Sequence, residues 1–348
     1  MSEYSITTVY PSDRRMKEKV VSLLQQEGIR LDGNLDYTCA VVDDDDQVIA
    51  TGSCFKNTLR CMAVSHEHQG EGLMNTVVSH LIEMQYQRGN VHLYLYTKCN
   101  SAKFFADLGF REIVRIEDEL VFMENSKTGF QDYLDRLKKE YREGSSVAAI
   151  VMNANPFTLG HRYLVEQAAL ENDVVHLFAV SEDASLIPYS VRKRLIAEGI
   201  ADLKNVFIHD SGPYIISNAT FPSYFQRDEE SVIRGHALLD LTIFTHIAAV
   251  LGITVRYVGE EPRSLVTGIY YEIMKKELPA NGIRCVVVPR KEKDGEAISA
   301  STVRKAIQDN DIELFKELVP ETTYRYFASE EAAQIVSRIR AESNVVHY

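Results

Sequence analysis

Two short segments carry residue types whose spacing suits the handling of phosphate. The first is Asn153-Ala-Asn-Pro-Phe-Thr-Leu-Gly-His161, preceded by the apolar run Val147 to Met152 and followed by Leu164, Val165, Ala168 and Ala169 at helical spacing. A strand, a tight turn and a helix N-terminus in that order bring free backbone N–H groups and the positive end of a helix dipole to one point, which suits an anion. Gly160 lets a ligand approach the backbone, and Thr158 and His161 can turn a hydroxyl and an imidazole toward one cluster of oxygens. Asn153, Asn155, Pro156 and Phe157 form the turn itself. The plainer reading leaves Thr158 as a helix cap and His161 on the helix surface.

The second segment, Ile298-Ser-Ala-Ser-Thr-Val-Arg304, lies after the last apolar strand and opens another helix. Ser299, Ser301 and Thr302 add hydroxyls to a second helix terminus, and Arg304 is able to clamp a phosphate through paired hydrogen bonds. Taken alone, the serines and threonine could be an ordinary cap. Two such cradles together suit a polyphosphate. Arg192, Lys193 and Arg194 begin a helix after the second strand of this region, where they either reach the phosphates or form a solvated face. A long stretch from Gly212 to Gln226 holds Pro213, Tyr214, Phe221, Pro222, Tyr224 and Phe225. It either closes over an acceptor substrate or packs on the core.

Nearer the N-terminus, Gln69-Gly-Glu-Gly-Leu-Met74 leads into a long helical pattern. Gly70 and Gly72 would expose successive N–H groups at that helix start, a seat for a pyrophosphate.

These segments must be positioned by elements of two kinds. In the first half, strands are expected over Tyr37 to Val42, Gln47 to Ser53, Leu59 to Val64 and Val91 to Tyr96, with a hairpin at Asp43 to Asp46 whose like charges repel in any regular element. Helical spacing covers only two stretches there, Leu73 to Arg88 and Ser101 to Leu108, the second stopped by Gly109. From Val147 onward, apolar strands at Val147 to Met152, Val174 to Val180, Val206 to His209, Ile253 to Val258 and Ile283 to Val288 alternate with amphipathic helices. Strands apolar throughout are buried on both faces, so this half is expected to be a parallel sheet covered by helices. The boundaries follow: a first domain at 1–128, a charged helical linker at 129–146, and a second domain at 147–348.

With 348 residues, of which 45% are hydrophobic and 25% charged, the chain has the composition of a folded globular protein and not of a disordered or collagenous one. Asp and Glu number 50 against 38 Lys and Arg, a formal net charge of −12. That field opposes nonspecific binding to nucleic acid, so any anion site must be local. The longest apolar runs are too short for a membrane helix, and Met1-Ser-Glu-Tyr shows no secretory leader, so a cytoplasmic protein is expected. The five cysteines are scattered without a CxxC pair and are expected to be reduced thiols, and no Cys/His grouping has zinc-ligand spacing.

The pair Thr158-x-Gly-His161 and Ile298-Ser-x-Ser-x-x-Arg304 resembles the nucleotidyltransferase superfamily, whose fold is a Rossmann-like doubly wound parallel sheet. The resemblance covers Ser146 to about Leu318. It implies ATP bound through its phosphates, in-line attack on the α-phosphorus and release of pyrophosphate. His161 and Thr158, with Arg304, would then stabilise charge on the transferring group, and Gly259, Glu260 and Glu261 would lie where the superfamily contacts the nucleoside. The loop Gln69 to Met74, with Asn100 through Phe104, Phe105 and Phe110, is similar to the GCN5-related N-acetyltransferase (GNAT) fold, a mixed α+β domain that holds coenzyme A, over roughly Met1 to Asn125. Two positions depart from it. Met74 replaces a small residue, and Phe105 stands where many members carry the tyrosine that protonates the departing thiolate, so a CoA- or pantetheine-binding role is expected in place of acetyl transfer to an amine.

The pairing of both parts resembles the citrate lyase ligase family. That resemblance implies an acid–thiol ligase that activates acetate with ATP and Mg²⁺ as acetyl adenylate. The acetyl group would pass to the thiol of a dephospho-CoA-derived arm on the acyl carrier (gamma) subunit of citrate lyase, with no nucleic acid and no membrane involved. The alternative is a cofactor-type adenylyltransferase fused to an independent N-acetyltransferase, and a third reading is a nucleotide sensor whose two pockets only bind.

Overall fold

The chain folds around two sheets of different kind. The computed structural model describes residues 4–183, 185–215, 221, 229–260 and 265–342. It divides into two units, Met1–Gln131 with Pro222–Leu239, and Asp132–Phe221 with Asp240–Tyr348.

The first unit runs β1 (Ser5–Thr8), α1 (Arg14–Gln26), β2 (Tyr37–Val42), β3 (Val48–Phe55), β4 (Thr58–Val64), α2 (Leu73–Gln87), β5 (Tyr94–Thr97), α3 (Ala102–Asp107), β6 (Arg111–Ile116) and β7 (Leu120–Glu124). Its sheet has the order β1-β2-β3-β4-β5-β7-β6. The expected hairpin is present: the Asp43 carboxylate accepts from the N–H groups of Asp45 and Gln47, and Asp46 pairs with Arg15 and Lys19 of α1. Helix α1 itself is absent from the two helices expected in this half. Its start is so polar that only Val20, Leu23 and Leu24 mark a buried stripe, which packs on Ala40, Val48, Cys61 and Ala63.

One pairing in this sheet is parallel and short. β4 meets β5 only at Thr58 with Tyr94 and at Leu59 with Leu95. Beyond those residues the strands part. The β4 backbone also departs from regularity, with Cys61 at a φ of 49° and a register shift against β3 between Thr51 and Ser53.

The remaining elements are α4 (Gly129–Lys139), β8 (Val147–Met152), α5 (Leu159–Glu171), β9 (Val174–Ala179), α6 (Tyr189–Gly199), β10 (Val206–Asp210), α7 (Glu229–Leu251), β11 (Val255–Gly259), α8 (Leu265–Ala280), β12 (Arg284–Val288), β13 (Glu292–Lys293), β14 (Glu296–Ala297), α9 (Ala300–Gln308), α10 (Ile312–Leu318), α11 (Glu321–Phe327) and α12 (Ala333–Ala341). Five strands make a wholly parallel sheet in the order β10-β9-β8-β11-β12. All six residues of β9 are buried, as a strand covered by helices on both faces requires, and five of them are apolar. The order reverses between β8 and β11, and the crevice beyond the carboxyl ends of those strands is where such sheets take ligands. The stretch 129–146 holds α4, and from Asp132 onward it belongs to the second unit.

Two buried histidines sit inside this sheet. His176 of β9 and His209 of β10 are bonded to each other, Nδ1 to Nε2, at 2.8 Å, and His209 Nδ1 lies 2.8 Å from the Glu140 carboxylate. Burial pushes the pKa of each imidazole down to about 4, helped by each ring's cationic neighbours.

Candidate active site

The loop after β8 is held from several directions. Phe157 is fully buried against Gly199, where an added Cβ would lie 2.5 Å from the ring, and its carbonyl accepts from Thr323 Oγ1 at 3.1 Å. Asn155 is buried, and its side-chain oxygen accepts from the Ile187 N–H at 3.2 Å.

Thr158 then caps α5. Its hydroxyl accepts from the His161 N–H at 3.2 Å, while the Thr158 N–H donates to His161 Nδ1 at 3.1 Å. This reciprocal pair is a capping box with histidine in the usual place of Glu or Gln. An Nδ1 that accepts cannot carry the proton of a neutral ring, so the N–H must be at Nε2. Burial, with the Arg290 charge, pushes the His161 pKa down to about 4. The ring is therefore a neutral donor at physiological pH, and it stacks on Phe157 with centroids 5.9 Å apart.

The second segment meets the first directly. A Cβ on Gly160 would fall 2.5 Å from the carbonyl oxygen of Ile298, so only glycine lets the first turn of α5 lie against the segment that leads into α9. Ser299 caps α9 by accepting from the Thr302 N–H at 3.0 Å, and the Ser299 and Thr302 hydroxyls are 2.8 Å apart. Arg304 Nη1 donates to the Asn155 carbonyl at 2.7 Å, and its Nη2 lies 3.4 Å from Ser301 Oγ. Two helix beginnings thus converge at the carboxyl edge of the sheet, beside the reversal of strand order.

Several expected contacts take other places. Thr158 is fully buried, with its hydroxyl spent on the cap, so it orients His161 and does not itself face a ligand. Arg304, 4% exposed, ties α9 to the loop after β8 instead of standing open as a phosphate clamp. Arg192 is fully buried and donates to the carbonyls of Asn153, Val180, Glu182 and Ile187 and to the Asn153 side chain, because those loop carbonyls would otherwise be buried unpaired. Lys193 pairs with Asp210 at 2.5 Å, and Arg194 pairs with Glu331. Gly259 accepts from the Tyr271 hydroxyl, and the Glu260 N–H donates to the Val288 carbonyl at 2.9 Å. Glu261 lies outside the described residues. Of the aromatic stretch, Tyr214 and Phe221 are buried, and Tyr214 packs on Tyr133 with ring centroids 5.0 Å apart. Pro222, Tyr224 and Phe225 lie outside the described residues.

Arg290 and Lys291, which the sequence reading passed over, lie beside this crevice just past the end of β12. The signal was available, since residues just past the carboxyl end of a parallel strand stand at the ligand edge.

In the first unit, the parting of β4 and β5 opens a cleft of about 670 Å³. Met62, Ala63 and Val64 form one wall and Tyr96 and Thr97 another, while Gln69, Gly70 and Gly72 lie at its rim. Gly70 and Gly72 have φ of 91° and 79°, a conformation that turns the loop so that Gly72 caps α2. Glu71 is held by Tyr4 at 2.9 Å and His68 at 3.2 Å. Met74 also lines the cleft, and Phe105, 5% exposed, meets Phe104 edge-on, so no hydroxyl occupies its place. The three buried thiols Cys39, Cys54 and Cys61 are free, and burial raises each to about 12. Among the described residues, no group of three or more His, Cys, Asp or Glu is placed to hold a metal, and no helix is long and apolar enough to cross a membrane.

Comparison with known proteins covers both units. Residues 147–327 match the family described as citrate lyase ligase C-terminal domain, and residues 4–110 match the acetyltransferase (GNAT) family, in keeping with the first sheet. The citrate (pro-3S)-lyase ligase of Haemophilus influenzae is 38% identical over 320 residues, covering 89% of this chain and 96% of that protein. The enzyme of the same name from Escherichia coli K12 is 36% identical over 326 residues, 92% of each. Among solved structures, a GNAT-family acetyltransferase from Staphylococcus aureus Mu50 aligns with a TM-score of 0.30 at 16% identity, over 35% of this chain and 100% of its own.

Proposed function

The chain belongs to the citrate lyase ligase family, and from that premise we propose that it activates acetate as acetyl adenylate and then acetylates the thiol of a CoA-like arm on the acyl carrier subunit of citrate lyase. ATP would lie in the crevice between the first turns of α5 and α9, its phosphates against their N–H groups. Mg²⁺ enters as part of that substrate, ligated by phosphate oxygens and water.

An acetate oxygen attacks the α-phosphorus, the bond to the bridging oxygen breaks, and pyrophosphate leaves. His161 Nε2–H donates to the phosphoryl oxygens as charge builds there, and because Thr158 fixes the ring, little reorganisation accompanies the step. Asn155 and Arg304 hold the two helix starts together. In the second step the thiol sulfur attacks the acetyl carbon, AMP departs with the electron pair of the broken C–O bond, and the thiol proton passes to solvent. The cleft between β4 and β5 is the seat assigned to the arm. Its amides would pair with the edge of β4 where that strand parts from β5 and its phosphates with the loop at Gly70 and Gly72.

The observation that carries this reading is the abutment of Gly160 on Ile298, joined by the Arg304–Asn155 bond. The experiment is acetate-dependent exchange of labelled pyrophosphate into ATP, followed by AMP release on addition of a deacetylated thiol carrier. The unmodified chain should do both, and His161→Ala should lose about 100- to 1,000-fold in exchange while remaining folded at the assay temperature by circular dichroism. Undiminished exchange in H161A, or a product that keeps the adenylyl group, as the adenylyltransferase alternative requires, would overturn the proposal.

A further inference from the structure

The loop assigned to the arm's phosphates carries an acid, which an anion seat alone does not call for. Glu71 lies between Gly70 and Gly72, whose φ values of 91° and 79° make the turn. Both of its carboxylate oxygens are held in place. Oε2 accepts from the Tyr4 hydroxyl at 2.9 Å, Oε1 lies 3.2 Å from His68 Nδ1, and the Tyr4 and His68 rings meet edge to face. The side chain still keeps 40% of its surface open to solvent. Its charge is therefore fixed within the loop and felt by whatever the loop binds. The cleft does little to offset it. Among the described residues that line it, Lys98 is the one lysine or arginine, and it is matched by Glu27, whose Oε1 accepts from the His66 N–H at 2.9 Å.

We propose that Glu71 is a specificity residue that turns free coenzyme A away from this cleft while admitting an arm that lacks the 3′-phosphate. The proposal rests on the reading above, in which the cleft seats an arm of the dephospho-CoA kind. Backbone N–H groups at the loop can hold a pyrophosphate, which both ligands share. Coenzyme A brings to the same place a phosphate monoester of about two further negative charges, hung from the ribose that the pyrophosphate carries. A fixed carboxylate opposes each added charge. At a separation of about 10 Å in a water-like dielectric, that opposition costs about three- to fourfold in affinity at low salt. Two ligands that make the same favourable contacts are told apart by an unfavourable one placed against the wrong ligand.

The proposal is tested by calorimetric titration of the full chain at low salt with dephospho-CoA, with coenzyme A and with pantetheine as an uncharged probe. The unmodified chain should bind dephospho-CoA more tightly than coenzyme A, and added salt should narrow the gap. E71Q should shrink the ratio of the two affinities by about three- to fourfold and leave pantetheine affinity as it was, while E71K should carry the ratio further in the same direction. Gly72→Val should lose both nucleotides, which ties the titrations to this cleft. A ratio unchanged in E71Q and E71K overturns the proposal, as does an unmodified chain that binds coenzyme A equally well or binds neither nucleotide. A pantetheine affinity that moves with the ratio overturns it too, because the loop's shape and not its charge would then be responsible, and so does full nucleotide binding in G72V. Discrimination that depends on Glu71 in a chain that transfers no acetyl group to a thiol carrier would sink the ligase reading and leave the residue's role standing. Transfer without discrimination would do the reverse.

Discussion

At the scale of single residues, the arrangement turns on a division of labour between Thr158 and His161. The threonine hydroxyl is buried in the cap, and the ring it fixes has one nitrogen turned to the backbone and a proton on the other. Thr158→Val keeps the shape and removes the hydroxyl. It should cost about 0.5–2 kcal/mol of stability and lower pyrophosphate exchange by about tenfold through a looser ring, while Thr158→Ser retains most of both. Thermal unfolding and the exchange assay check it, and a serine variant as impaired as the valine one would contradict it. The cap was legible because it depends on residues three apart in sequence. The fates of Arg192 and Arg304 were not. A guanidinium looks the same in sequence whether it faces a phosphate or, as here, loop carbonyls contributed by distant strands.

At the scale of elements, the strands of the second sheet were legible because double-sided burial leaves a run that is almost wholly apolar, unbroken at Val147–Met152 and interrupted only by His176 at Val174–Ala179. Helix α1 was hidden by a polar opening turn that leaves too narrow a stripe to stand out. The same sheet carries a pH liability that no periodicity reveals, the His176–His209 pair. Both rings, and His161, have folded pKa values near 4 against an ordinary 6.5. Between those values the unfolded chain binds more protons than the folded one, so stability is complete above about pH 6.5 and drains away as pH falls toward 4. The urea midpoint should drop steadily from pH 7 to pH 5, ahead of the range where ordinary carboxylates titrate. A midpoint that stays level or rises over that interval would refute it.

At the scale of the whole molecule, the proposed reaction gives each of two units of unrelated topology one half of a two-step sequence. Gly72→Val places a β-branched side chain where φ is 79°, which should spoil the loop at the cleft without touching the second unit. Acetate-dependent pyrophosphate exchange should persist in that variant, while AMP release on addition of the thiol carrier should fall by about tenfold or more. Loss of both activities together would mean that the halves are not separable in this way. The loop after β8 has a different kind of dependence, for it is pinned by Arg304 and by Thr323, residues some 150 positions further along the chain. During synthesis, then, a ribosome that has finished the central strands has made a sheet without its latch. The crevice between α5 and α9 can mature only when nearly the entire polypeptide has emerged, which, on the proposed reaction, would leave half-made chains unable to spend ATP.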